Sequence, residues 1–207
     1  MSPPEQRLAD SRIGTGDQIL TAAATVFGRL GYARTTMSDI AKAAGTTRPT
    51  VYAYFSSKEE IFHVLTERLR DAFLAIQEVP EDLPVFEIIR RGDIGYLHAY
   101  SSNMALLTIV QHQSLSDPAM QGLWEDVHGR ATRRHRRFLE RLVENGQAEP
   151  VASPEVISEA ITGLVMRFGQ LVATDPARFD VLAADLVQLH VQMLGLRGDS
   201  PILVNVG

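Results

Sequence analysis

Between Thr35 and Lys58 the chain reads TTMSDIAKAAGTTRPTVYAYFSSK, and no other stretch restricts the possible folds as tightly. Thr36 followed by Asp39 has capping-box spacing, which sets a helix start near Met37. Met37, Ile40, Ala41 and Ala44 then recur at helical spacing and form one apolar stripe. Gly45 follows the last of them, and glycine tolerates the left-handed conformation that ends a helix. Thr47 caps a second helix, with Pro49 in its first turn, where the missing amide has no intrahelical partner. Val51 and Phe55 are spaced to face the first helix, which leaves Arg48, Thr50, Tyr52 and Ala53 on outer faces. Two short helices joined by a glycine turn, the second polar at its start, form a helix-turn-helix. The second helix of such a unit enters the major groove N-terminus first.

The outward residues carry matching chemistry. The Arg48 guanidinium fits the O6 and N7 acceptors of guanine, and Thr47 and Thr50 offer hydroxyls and methyls to base edges or phosphates. Tyr52 and Tyr54 can donate to phosphate oxygens, although either alone is more often a packing residue. Ser57 with Glu60 makes another capping box and places Lys58 in the first turn of the next helix. A cation there opposes the helix dipole, and a bound phosphate would relieve the conflict.

Residues 17–62 resemble the DNA-binding domain of the tetracycline-repressor (TetR) family. The resemblance is carried by Ile19-Leu20, Ala22-Ala23, Phe27, Gly31-Tyr32, Thr35-Thr36-Met37, Asp39-Ile40-Ala41, Ala44-Gly45, Thr50-Val51-Tyr52, Tyr54-Phe55 and Ser57-Lys58-Glu59. It implies DNA contacts at Thr36, Thr47, Arg48, Thr50, Tyr52, Tyr54 and Lys58. Thr46 departs from the pattern, which usually has a small aliphatic residue there. The implied architecture is all-α, with about nine helices: a three-helix head over residues 17–62 and an effector-binding and dimerisation domain over 63–197. A flexible arm (1–16) and a tail (198–207) flank them.

Charge supports this division. Residues 1–58 hold seven Lys/Arg and four Asp/Glu, whereas the remainder holds thirteen and twenty-one, so a +3 head precedes a −8 body within an overall charge of −5. That asymmetry turns the head toward phosphate and argues against a protein that coats DNA nonspecifically. The absence of cysteine removes disulfides and thiolate metal sites. The lack of an 18-residue apolar run or an N-terminal signal core leads to the expectation of a cytoplasmic protein.

Thr15 with Gln18 is read as the start of the first helix, and Ser57 as the start of a fourth helix reaching Ile76. Val79 to Pro84 reads as a turn-rich boundary. Beyond it the spacing predicts helices near 85–101, 103–114, 118–145, 154–174 and 177–196, with no strand-like alternation. The last two are apolar on more than one face, through Ile157, Ile161, Leu164 and Phe168, and through Leu182, Leu186, Leu189, Met193 and Leu194. A second apolar face calls for a partner, and the resemblance implies a homodimer through these two helices. It also implies a cavity for a small-molecule effector, with Tyr96, Tyr100, Met104, Leu107, Gln111, Trp124, His128, Met166 and Phe168 as candidate lining. Ordinary core packing is the competing reading for each.

Histidines 98, 112, 128 and 135 lack tight ligand spacing, so neither metal nor cofactor is expected. A dense run, Arg130, Arg133, Arg134, Arg136, Arg137 and Arg141, reads as a solvated face, or as one in which Arg133 or Arg137 points inward to an anionic ligand. The function implied is a ligand-responsive repressor released from a palindromic operator. An all-helical enzyme or a protein-binding adaptor using the same cavity is the alternative.

Overall fold

The computed structural model describes residues 3–76 and 83–196, with side chains from residue 14 onward. The expected tail, 198–207, and most of the Val79 to Pro84 boundary lie outside the described residues. Among these residues the chain forms α1 (Pro3–Leu30), α2 (Met37–Ala43), α3 (Arg48–Tyr54), α4 (Lys58–Ile76), α5 (Val85–Ser102), α6 (Met104–Gln113), α7 (Pro118–Trp124), α8 (Arg130–Glu144), α9 (Pro154–Thr174) and α10 (Phe179–Leu194). No strand appears among them. A π-helical turn, Glu125–Gly129, joins α7 to α8 without a break, so the predicted helix over 118–145 is one rod and the described fold has nine.

The chain divides into two compact units. The first comprises residues 1–69 with 105–120, and the second comprises 70–104 with 121–207. The core of the first is Ile19, Ala23, Val26 and Phe27 of α1, Ile40 of α2, Val51 of α3, and Ile61 and Phe62 of α4, all at most 5% exposed. Phe27, Tyr32 and Phe62 form an aromatic triangle with centroids 4.7–5.9 Å apart. α6 joins this unit at Gly28, where an added Cβ would lie 2.6 Å from that of Ala105.

One helix start differs from the sequence expectation. α1 begins at Pro3, not at the Thr15 cap. Gly14 and Gly16 disfavour a helix by about 1 kcal/mol each without breaking it, and prolines are accepted in a first turn.

In the second unit α5 packs on α9 and α10, and α8 packs on α9. Gly169 permits the α5–α9 approach, because a Cβ there would meet the Tyr100 ring at 2.7 Å. α9 buries Ile157, Ile161, Val165 and Val172, while Leu164 and Phe168, expected in the same stripe, are only half-buried. Together with exposed Val156, Val181 and Leu189 they leave apolar surface on α9 and α10. α9 is apolar and long enough to cross a membrane by length and composition alone. Here it packs among α5, α8 and α10.

The Gly28 contact yields a signed test. Ala in place of Gly inside a helix ordinarily adds stability. Gly28→Ala should instead lower unfolding stability by about 1–3 kcal/mol, because the new methyl meets Ala105 with no space to yield. A rise in the urea midpoint would contradict the close approach.

Candidate nucleic-acid interface and ligand cavity

Local sequence signals build the interface. The Thr36 hydroxyl accepts from the Asp39 amide at 3.2 Å and donates to its carboxylate at 2.6 Å, and the Thr36 amide donates to the same oxygen, completing the capping box. These bonds hold the Asp39 carboxyl below its usual range. α2 ends in a Schellman turn at Gly45 (φ 64°), closed by the Thr46 amide on Ala41 O and the Gly45 amide on Lys42 O. The Thr46 departure from the family pattern is thus accommodated, since its main-chain amide closes the turn.

α3 is held from one side, by Val51 (0% exposed) and by Phe55 just beyond its end. Thr47 Oγ1 accepts from the Thr50 amide at 3.3 Å and lies 2.8 Å from the Thr50 hydroxyl. Arg48 Nη2 donates to the Tyr52 hydroxyl at 3.4 Å, and its guanidinium carbon lies 5.4 Å from the Tyr52 ring centroid. Both side chains are exposed. A planar cation and a phenol therefore stand together on the open face of a short helix, free to turn toward a duplex.

The seven expected contacts divide. Arg48 and Tyr52 are open, Thr47 and Thr50 are coupled at the helix start, and Thr36 is exposed but engaged in its capping box. Tyr54 is half-buried, its ring 3.6 Å from where a Cβ on Gly16 would stand. Lys58 is engaged within the head. Its ammonium donates to the carbonyls of Tyr32, Ala33 and Thr35 at 3.0, 3.2 and 3.2 Å and lies 4.7 Å from the Tyr32 ring centroid. Three carbonyls of the α1–α2 loop answer the conflict between this cation and the α4 dipole. The second capping box also differs in detail: Ser57 caps the Glu60 amide, but the Glu60 carboxylate returns to Ser56.

The second unit encloses a cavity of about 400 Å³. Tyr96, Tyr100, His128 and Met166 line it as expected. Met104, Leu107, Gln111 and Phe168 do not. Leu107 is fully buried in the core of the first unit and Gln111 is exposed, because α6 belongs to that unit. Trp124 borders a neighbouring polar pocket and stacks on His128 at 3.7 Å. The π turn lies at this stack: the Arg130 amide bonds five residues back to Glu125 O. His128 Nδ1 lies 3.3 Å from Trp124 O, and its Nε2 is buried without a partner.

Sequence reasoning missed a polar chain in the cavity wall. Asp93 (5% exposed) receives His190 Nδ1–H at 3.0 Å, and His190 Nε2 lies 3.0 Å from His135 Nε2. Burial raises the Asp93 carboxyl, with the neighbouring His190 opposing. The overlooked signal was a charged or polar residue at a stripe position: Asp93 follows Ile89 in α5, and His190 stands between Leu186 and Leu194 in α10. The arginine run is also resolved differently. Arg130 pairs with Asp126, Arg133 with Glu125 and Arg136 with Glu140, while Arg134 and Arg141 line the cavity.

Residues 19–65 match the family model described as bacterial regulatory proteins, tetR family. The head is a DNA-binding domain of the TetR type. Its head is 50% identical over 50 residues to the HTH-type regulator YfiR of Bacillus subtilis, which is 24% of each chain. It is 42% identical over 57 residues to the regulator TtgR of Pseudomonas putida, 28% of this chain and 27% of that one. This chain therefore matches only about a quarter of the length of those curated relatives. The fold extends further: the ketosteroid transcriptional regulator KstR2 of Mycobacterium tuberculosis superposes with a TM-score of 0.74 at 20% identity, covering 88% of this chain and 95% of that one. The matched segment holds the whole of α2 and α3, so the family signature and the open Arg48–Tyr52 face coincide.

Two outcomes are expected. Lys58→Met should cost about 1–3 kcal/mol of stability in urea unfolding, because three loop carbonyls lose their donor. Unchanged stability with a flatter salt dependence of DNA binding would return Lys58 to a phosphate. The second concerns pH. Burial pushes His128 down to about 4 and His135 to about 3, whereas both titrate near 6.5 when unfolded. The unfolded chain binds their protons first, so these groups lower stability as pH falls from about 6.5 toward 4. The loss between pH 7.5 and 5 should shrink by about 1–2 kcal/mol in His128→Phe. An identical pH slope in the variant would show that His128 is not a buried neutral group.

Proposed function

We propose that this TetR-family chain is a ligand-responsive transcriptional regulator, acting as a homodimer and released from a pseudo-palindromic operator when a small molecule fills the cavity. The observation that carries the reading is the outward face of α3, where Arg48 and Tyr52 stand exposed beside the helix N-terminus while Val51 anchors the opposite side. An adaptor that had ceased to read DNA gives no reason for that arrangement, and an enzyme gives none for the head.

Dimerisation is supported by the apolar surface left by Val156, Leu164, Phe168, Val181 and Leu189 on α9 and α10. Twofold symmetry would set two recognition helices about one helical turn, roughly 34–36 Å, apart. Coupling is supported by α4, which supplies Lys58 to the head loop and Phe73 and Ile76 to the cavity wall. An effector that favours one position of that helix shifts the population of DNA-competent dimers. Such a protein acts where the chromosome is, in the cytoplasm, and needs no cofactor.

The test is a gel shift with the full chain on DNA flanking its own coding region. A discrete complex is expected, and no complex on any neighbouring intergenic DNA would overturn the reading. On the preferred site Arg48→Ala should lose about 1–3 kcal/mol and tolerate substitution of one guanine. Equal weakening on all sequences would remove Arg48 from base reading.

A further inference from the structure

We propose that the cavity of the second unit takes an amphipathic organic anion, with its apolar body inside and its charged head between Arg134 and Arg141. This rests on the effector reading above for its consequence at DNA, and names the chemical class of the ligand.

The argument begins with the register of α8. Arg134 and Arg141 are seven residues apart, two turns on one face and about 10 Å along the axis, and both border the cavity. Three others of the run are matched locally, Arg130 to Asp126, Arg133 to Glu125 and Arg136 to Glu140, while Arg137 is exposed and does not border the cavity. Among the described residues no carboxylate pairs with Arg134 or Arg141. Asp93 is the one carboxylate in the cavity lining, and His190 holds it at 3.0 Å. Among the described residues the lining therefore presents two guanidinium groups that no carboxylate pairs with.

The rest of the wall sets the other half of the ligand. Phe73, Ile89, Phe138, Leu142 and Val165 offer apolar surface from four helices, enough to take an aliphatic or aromatic body out of water. Asn145 and Gln147 border the same cavity near the end of α8 and can donate neutral hydrogen bonds to a carboxylate held by the arginines. Both arginines are exposed, so the unliganded site stays hydrated at little cost. A cationic head would meet two guanidinium groups, and a neutral head would leave their charge unanswered. An anion satisfies both, and guanidinium binds carboxylate through paired donors.

The test uses three probes that share a dodecyl chain: dodecanoate, dodecanol and dodecyltrimethylammonium. Each is titrated calorimetrically into the full-length protein below its micelle concentration, with DNA binding followed in parallel. Dodecanoate should bind at least about tenfold tighter than dodecanol, with the ammonium weakest. The double variant Arg134→Gln/Arg141→Gln should bring dodecanoate down to the level of dodecanol. Val165→Trp should block both from the filled cavity. A preference for the alcohol or the ammonium, binding of none of the three, or a carboxylate preference that survives in the double variant would overturn the inference. The regulatory reading fails separately: dodecanoate bound with the arginine-dependent preference but leaving operator affinity unchanged would keep the ligand class and remove its role as effector.

Discussion

A seven-residue helix has too little surface to be fixed from more than one side, and α3 is fixed from the side of Val51. That residue is completely buried, Phe55 closes the end of the same seam, and Ile40 of α2 is fully buried in the same core. Everything on the opposite side follows. Helical geometry places Arg48 and Tyr52 one turn apart and away from the core, and the Thr47 cap sets Arg48 at the helix N-terminus. The exposure of Arg48 and Tyr52 is a consequence of where the core is. The Lys58 ammonium, seated on three carbonyls of the α1–α2 loop, belongs to the same construction: it ties the start of α4 to the segment that leads into α2. A residue that resembles a phosphate contact in sequence works first as a clasp.

The second unit follows a different logic. Its helices approach closely at Gly169 against Tyr100, yet a cavity remains, and its wall carries buried polar groups that an apolar core would omit. The chain from Asp93 through His190 to His135 joins α5, α10 and α8 by hydrogen bonds, and a buried network of this kind specifies one arrangement of those helices when all its members are satisfied. Two arginines on α8 remain unmatched at the same cavity. Scaffold and recognition are thus separated along one helix. Arg130, Arg133 and Arg136 hold nearby carboxylates, and Arg134 and Arg141 border the cavity.

How much of this was legible depended on the range of the interactions. The helix-turn-helix was readable because its signals lie within a few residues of one another: Thr36 with Asp39, Gly45 after Ala44, Thr47 before Pro49. Most later helices were readable from apolar period and proline punctuation. The start of α1 was misread because Gly14 and Gly16 look like a boundary, although a helix with good formers on both sides continues through them. The relay was invisible to local reasoning, since Asp93 and His190 stand 97 positions apart. Half of the cavity list failed for a related reason. Helical spacing identifies an inward face, but α6 turns its inward face to the head unit, and Leu107 goes with it.

The central claim is that α3 enters the major groove with Arg48 reading guanine. Methylation protection of guanine N7, an atom exposed only in that groove, tests it most directly. With the full chain bound to its operator, the expected result is two clusters of protected N7 positions about one helical turn apart, one in each half-site. Protection confined to the minor-groove N3 of adenine, or a bound complex that leaves every guanine N7 reactive, would contradict it.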